Sequence, residues 1–234
     1  MFSRPEHLRD WLKKKGKKLE DYLHLITDAG QTVPGWTPDN HGIEFFVHSP
    51  FAEREGDAIL DRNGNSLFMQ AILRIQSEDT RFLLTSDITH EELSRIVGIT
   101  RGHKNDHRLA WDIYKIPHHC SYKSLAEEKG KEKTIPTSEI AWLLDQGAER
   151  SVMVSSSDVV PDVSTDQPPH VEAYRTYEDT SQKLDADLVV TMGNPSKKAP
   201  SRTIIEIGKD RAKLKKSGLT AAIAVTSTHS PRVG

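Results

Sequence analysis

Two apolar runs dominate the hydrophobic pattern of this chain, SLFMQAILRI and TRFLLTSD, with the polar turn QSED between them. Their apolar content exceeds strict alternation, so they predict adjacent strands covered on both faces. Leu109 to Ile116 predicts a further buried strand, as do SVMVSSS, Asp187 to Thr191 and Arg202 to Ile207. GIEFFVHSP reads as a strand stopped by Pro50, and Ile223 to Thr226 as a last short one. Helical spacing appears between these runs. Pro5 to Lys15 places Leu8, Trp11 and Leu12 on one face, with Ser3 as its cap. Ile88 to Val97 carries Thr89 as cap and Glu92 three residues on. Ser121 to Lys129, Ser138 to Gln146 (ended by Gly147) and Val171 to Lys183 complete the helices. Tyr22 to Ile26 fits a strand or a helical turn, and Asn63–Gly64 marks a turn. Strands alternating with helices predict a layered α/β fold, read as one domain over 1–234 with an irregular tail from 209.

Composition narrows the setting. The chain has 234 residues and a net charge of −2, with 35% apolar and 28% charged residues, which gives no whole-surface basic field for nucleic acid. Cys120 is alone and cannot form an internal disulfide, so a reducing compartment is expected. No apolar run approaches the ~20 residues that span a bilayer, and MFSRPEHLRDWLKKKGKK lacks the apolar core of a secretory signal. The expectation is a cytoplasmic protein without a membrane partner.

Candidate chemistry lies at strand ends. Asp87 closes RFLLTSD, and His118–His119 close WDIYKIPHH. A carboxylate and imidazoles at the ends of rigid buried strands suit metal binding or proton transfer. Successive side chains on extended backbone point to opposite sides, so one histidine can ligate while the other faces substrate or a residue that supports the ligands. His48, the histidines His103 and His107 of GITRGHKNDHR (98–108, read as exposed loop), and the lysines of KKKGKK read as structural or solvated positions. Cys120 beside two histidines invites a Cys–His nucleophile, but the strand-end pattern explains the histidines better, so the thiol is expected to be structural.

The ordered set NGNSLFMQAILRI, RFLLTSDI, EELSRIV and WDIYKIPHHCSYKS resembles the second half of a metallo-β-lactamase-fold hydrolase. It is most similar to the hydrolase domain attached to bacterial DNA-uptake (competence) channels and to free-standing relatives. SVMVSSSDVVPDVSTDQPPHVEAYRTY and RTIIEI extend the similarity over roughly residues 42 to 207. The resemblance implies a four-layer αββα sandwich with one or two metal ions, usually zinc, manganese being the other option. It matches Asp87 to the metal-bridging aspartate, His119 to the last histidine ligand and His118 to its substrate-facing catalytic neighbour. By analogy the substrate is a phosphodiester rather than a lactam, with nucleic acid among the partners.

Two departures set further expectations. Nothing in the chain matches the family's N-terminal His-x-His-x-Asp-His motif, and Ser86 and Cys120 stand where the family usually has glycine. Pro5–Lys18 resembles the helix that follows the missing motif, which implies a start inside such a domain. A closed catalytic site needs three protein ligands, so the reading is a C-terminal portion acting with a complementary N-terminal half or a second copy. The rival reading is a metal-free, inactive interaction module. The first reading requires Asp87 and His119 to lie within ~6 Å of each other, since zinc–ligand bonds are only ~2.0–2.2 Å long.

Overall fold

A computed structural model describes residues 5–50, 54–55, 58–59 and 66–215. The chain is an α/β protein built on one mixed sheet of seven strands. In chain order the elements are α1 (Pro5–Lys14), β1 (Gln31–Thr32), α2 (Pro38–His41), β2 (Ile43–Ser49), β3 (Arg54–Glu55) and β4 (Ala58–Ile59). Then come β5 (Phe68–Ile75), β6 (Glu78–Thr85), α3 (His90–Gly102), β7 (Trp111–Ile116), α4 (Ser138–Leu144) and β8 (Gly147–Ser155). The last are α5 (Val171–Lys183), β9 (Asp187–Val190), β10 (Ile205–Ile207) and β11 (Ala212–Leu214).

The large sheet runs β1-β2-β5-β6-β7-β8-β9. From β1 to β6 the pairing is antiparallel, and from β6 to β9 it is parallel. Each parallel step is made through a helix: α3, then α4, then α5. Parallel crossovers are right-handed. Since the steps all progress in one direction, right-handed connections place all three helices on the same face. Packing agrees. Leu93 and Ile96 of α3, Ile140 and Leu143 of α4, and Ala173 and Tyr177 of α5 share one cluster with Leu83, Tyr114, Ile116 and Met153 of the sheet.

The other face of the sheet is apolar yet only partly covered. Register puts Phe82 beside Ala71 and Ile113, and Ile113 beside Val152. Leu83, pointing to the helices, is fully buried, whereas its neighbours Phe82 and Leu84 are half-buried. Phe45, Met69, Leu73 and Val154 share that half-buried state on the helix-free side. The antiparallel hairpin β10–β11 packs against β8 and leaves a cavity of about 650 Å³ lined by Phe82, Lys115, Val154 and Ile205. Both faces were expected to be covered; among the described residues, helices cover one.

Several local expectations hold. Thr89 caps α3 by accepting the Glu92 N–H at 3.5 Å. Val171–Lys183 is helical with the expected ends. His48 is structural: its Nε2–H donates to the Arg108 carbonyl (3.0 Å), Nδ1 meets the Thr100 hydroxyl (3.2 Å), and burial lowers its pKa to about 4. The lysines at 13–18 are exposed around the end of α1.

Other expectations are corrected. Helix α3 continues through Gly102 into the stretch read as loop, because Thr100 reaches back to His48 and Arg101 stacks on Trp142 at 4.3 Å. His103 then ends α3, while His107 lies in a separate 3-10 turn over Asp106–Leu109. Ser121 to Lys129 is not a helix but one 3-10 turn over Tyr122–Ser124; its side chains bond backbone instead, as Ser124 does to Ile88 (2.7 Å). Of the two readings of Tyr22 to Ile26, the helical turn is the one that holds, as part of a 3-10 helix over Leu19–Leu25. Gly147 does not end α4 but starts β8, where a Cβ would lie 2.4 Å from the Trp111 ring. Strand β11 occupies the start of the expected tail. Ser3, Asn63–Gly64 and the strand expected at 223–226 lie outside the described residues.

Candidate metal and proton-transfer site

The ends of β6 and β7 are tied together by backbone. Ser86 donates to the Leu67 carbonyl from both its N–H (3.2 Å) and its hydroxyl (2.6 Å). The Ser86 carbonyl in turn accepts the His118 N–H at 3.2 Å. Asp87 and the histidine turn are therefore held by one residue between them.

The turn itself is unusual. His118, His119 and Cys120 have φ of 47°, 53° and 64°, three consecutive non-glycine residues in left-handed conformation. Each such residue costs roughly 1–2 kcal/mol, and such strain gathers where a site over-determines its geometry. Cys120 helps to hold it, being 0% exposed within the main core cluster. Burial pushes its thiol up to about 12, so it is no thiolate nucleophile at neutral pH. Cys120→Ser should lower stability by ~1–3 kcal/mol through a buried hydroxyl while leaving metal binding unchanged; loss of binding with the fold intact would contradict a structural role.

His119 and Asp87 come together as expected, with Nε2 and Oδ1 3.7 Å apart. The Nδ1–H of His119 donates to the Ser156 carbonyl at 2.6 Å. A carbonyl only accepts, so Nδ1 carries a proton, and Nε2 is the ring nitrogen turned toward the Asp87 carboxylate. A ring nitrogen and a carboxylate oxygen facing each other want a proton or a cation between them. Metal-binding histidines use this same backbone tether. Two bonds of ~2.1 Å to one ion separate their donors by about 3.4 Å at a tetrahedral angle, close to the observed spacing.

A closed site would need a third ligand. Among the described residues no group of three or more His, Cys, Asp or Glu side chains is arranged to hold a metal ion. His103 and His107 do not join it.

His118 points inward. Its Nδ1 is buried without a hydrogen-bond partner, and burial lowers the ring's pKa. Lys115, in β7, lines the cavity on the helix-free face, and burial lowers its pKa against the opposing pull of Asp87. Ser156 and Thr191 line both that cavity and a second one of about 370 Å³ beside His119.

Sequence reading missed His170, the residue before α5. It is 1% exposed, its N–H donates to the Cys120 carbonyl (3.1 Å), and its ring edges onto Tyr122 at 5.0 Å. The signal was available: His170, Ala173, Tyr174 and Tyr177 recur at helical spacing, which puts the histidine on the buried face.

No protein-family model matches the chain, and no curated protein matches it. Among the described residues no helix is long and apolar enough to cross a membrane.

Proposed function

We propose that this chain is the C-terminal part of a metal-dependent hydrolase of metallo-β-lactamase architecture, cleaving phosphodiesters. In this reading a complementary N-terminal half supplies the remaining ligands and the second sheet of an αββα sandwich. The observation that carries it is the Ser156-tethered His119 facing the Asp87 carboxylate. Asp87 and His119 would hold zinc or manganese, which supplies Lewis acidity toward the ester and lowers the pKa of water. His118, half-buried with Nδ1 turned inward, would give the leaving oxygen a proton from its other ring nitrogen, Nε2. Lys115, half-buried beside Asp87, favours an anionic substrate.

A second reading, a metal-free interaction module, draws on the half-covered apolar face of the sheet. Zinc titration of the full chain by calorimetry separates the two. One bound ion is expected, with affinity falling at least tenfold in Asp87→Asn and in His119→Ala. Absence of binding, or binding that ignores both substitutions, would leave the interaction module.

A further inference from the structure

The β10–β11 hairpin and the segment leading into it close a cavity of about 650 Å³ over the helix-free face of the sheet, a size that suits a small molecule. Its roof is tied down. The Ser201 N–H donates to the Asn194 carbonyl at 2.8 Å, and the Asn194 side-chain amide donates to the Thr203 hydroxyl at 3.2 Å. Phe82, Val154, Met192 and Ile205 give the cavity apolar walls, while Lys115 and the exposed Arg202 give it two cations. Register sets Lys115 beside Val154, so its half-buried stem rises from the apolar face itself. Among the described residues no Asp, Glu, Asn or Gln lines the space. Two carboxylates stand outside it: Asp87, whose charge reaches Lys115, and Asp158, which lines the smaller cavity beside His119.

We infer that this cavity is a binding site for a small amphiphilic anion, an acyl chain with a charged head, of which a fatty carboxylate is the simplest. The chain lies among Phe82, Val154 and Ile205, and the head meets Lys115 and Arg202. Withdrawing an ammonium from water is costly unless an opposite charge compensates it, and the cavity walls supply none. No amide or carboxylate side chain is present to read a base edge, so the apolar body is hydrocarbon rather than a nucleobase. The site adjoins the candidate metal site through Ser156 and Thr191 but uses neither Asp87 nor His119. It therefore stands apart from the hydrolase reading.

Calorimetric titration of the full chain with octanoate, in the presence of EDTA so that no metal takes part, tests this. One equivalent is expected to bind. Lys115→Met keeps the stem, removes the charge, and should weaken binding about tenfold or more. Ile205→Glu sets a like charge in the wall and should weaken it to a similar degree. Asp158→Asn, in the neighbouring cavity, should change the affinity by less than about twofold. Octanol, the neutral counterpart, and inorganic phosphate, a head without a chain, should each bind about tenfold or more weakly than octanoate. Absence of octanoate binding overturns the inference, and so does octanol binding as tightly, which would be adhesion to bare apolar surface. An affinity that Lys115→Met leaves unchanged, or tighter binding of adenosine monophosphate, overturns it as well. Failure of zinc to bind would count against the hydrolase reading alone and leave the octanoate result standing.

Discussion

Purified alone, the full chain is expected to self-associate and to show no hydrolase activity. The cause is the helix-free face of the sheet, where Phe45, Met69, Leu73, Phe82, Leu84 and Val154 stay half-buried. Apolar surface is worth ~25 cal/mol per Å² when removed from water, and a standard interface buries ~800 Å² per partner. That product, ~20 kcal/mol before the costs of association, exceeds the ~4–15 kcal/mol that association usually takes. Phe82→Glu sets a charge amid this face at the register position between Ala71 and Ile113. Burying it unpaired costs several kcal/mol, so the association constant should drop by at least a hundredfold. Sedimentation velocity checks both statements. A monomer at ~100 μM in the unaltered chain, active with metal alone, would remove the physical basis for a missing half.

Trp111→Ala should be the most damaging single truncation in the core, lowering unfolding free energy by ~3–5 kcal/mol. Domains of this kind hold only ~5–15 kcal/mol in total. Trp111 is fully buried, its indole N–H donates to the Leu143 carbonyl at 3.0 Å, and its ring lies 5.3 Å from that of Tyr114. The indole also fills the space left by Gly147, so its loss opens a cavity shared by β7, β8 and α4. Urea midpoints at constant slope measure the effect, with Leu25→Ala, 69% exposed, as the comparison that should change by less than ~0.5 kcal/mol. A Trp111→Ala loss below ~1 kcal/mol would mean the core is not organised around this residue.

The central strands and the long helices were legible because their periodicity is strong and their caps are local. RFLLTSD, WDIYKI and Val171–Lys183 needed nothing beyond their own residues. The failures share a cause: the deciding partner is distant in sequence. Residues 98–102 look like loop until Thr100 meets His48, fifty-two positions earlier. Residues 121–129 look helical until Ser124 spends its hydroxyl on Ile88. The site divides the same way. Asp87, His118 and His119 are visible at strand ends, and the structure brings Asp87 and His119 together. Ser156 works through its carbonyl, which any residue could supply, so no residue type announces it. His170 sits behind two prolines, where the eye stops at the loop.

The order of strands in the sheet is also their order in the chain, the β3–β4 hairpin apart. As the polypeptide leaves the ribosome, each new strand therefore meets a free edge, and none has to enter between two already paired. The β5–β6 hairpin, closed by two residues, can seed the process, with β7, β8 and β9 added one crossover at a time. Assembly of the sheet is in that sense a one-directional zipper. Its final strand, β9, ends in Val190 beside Ser155, so the wall of the candidate site formed by Ser156 and Thr191 is the last part to be put in place.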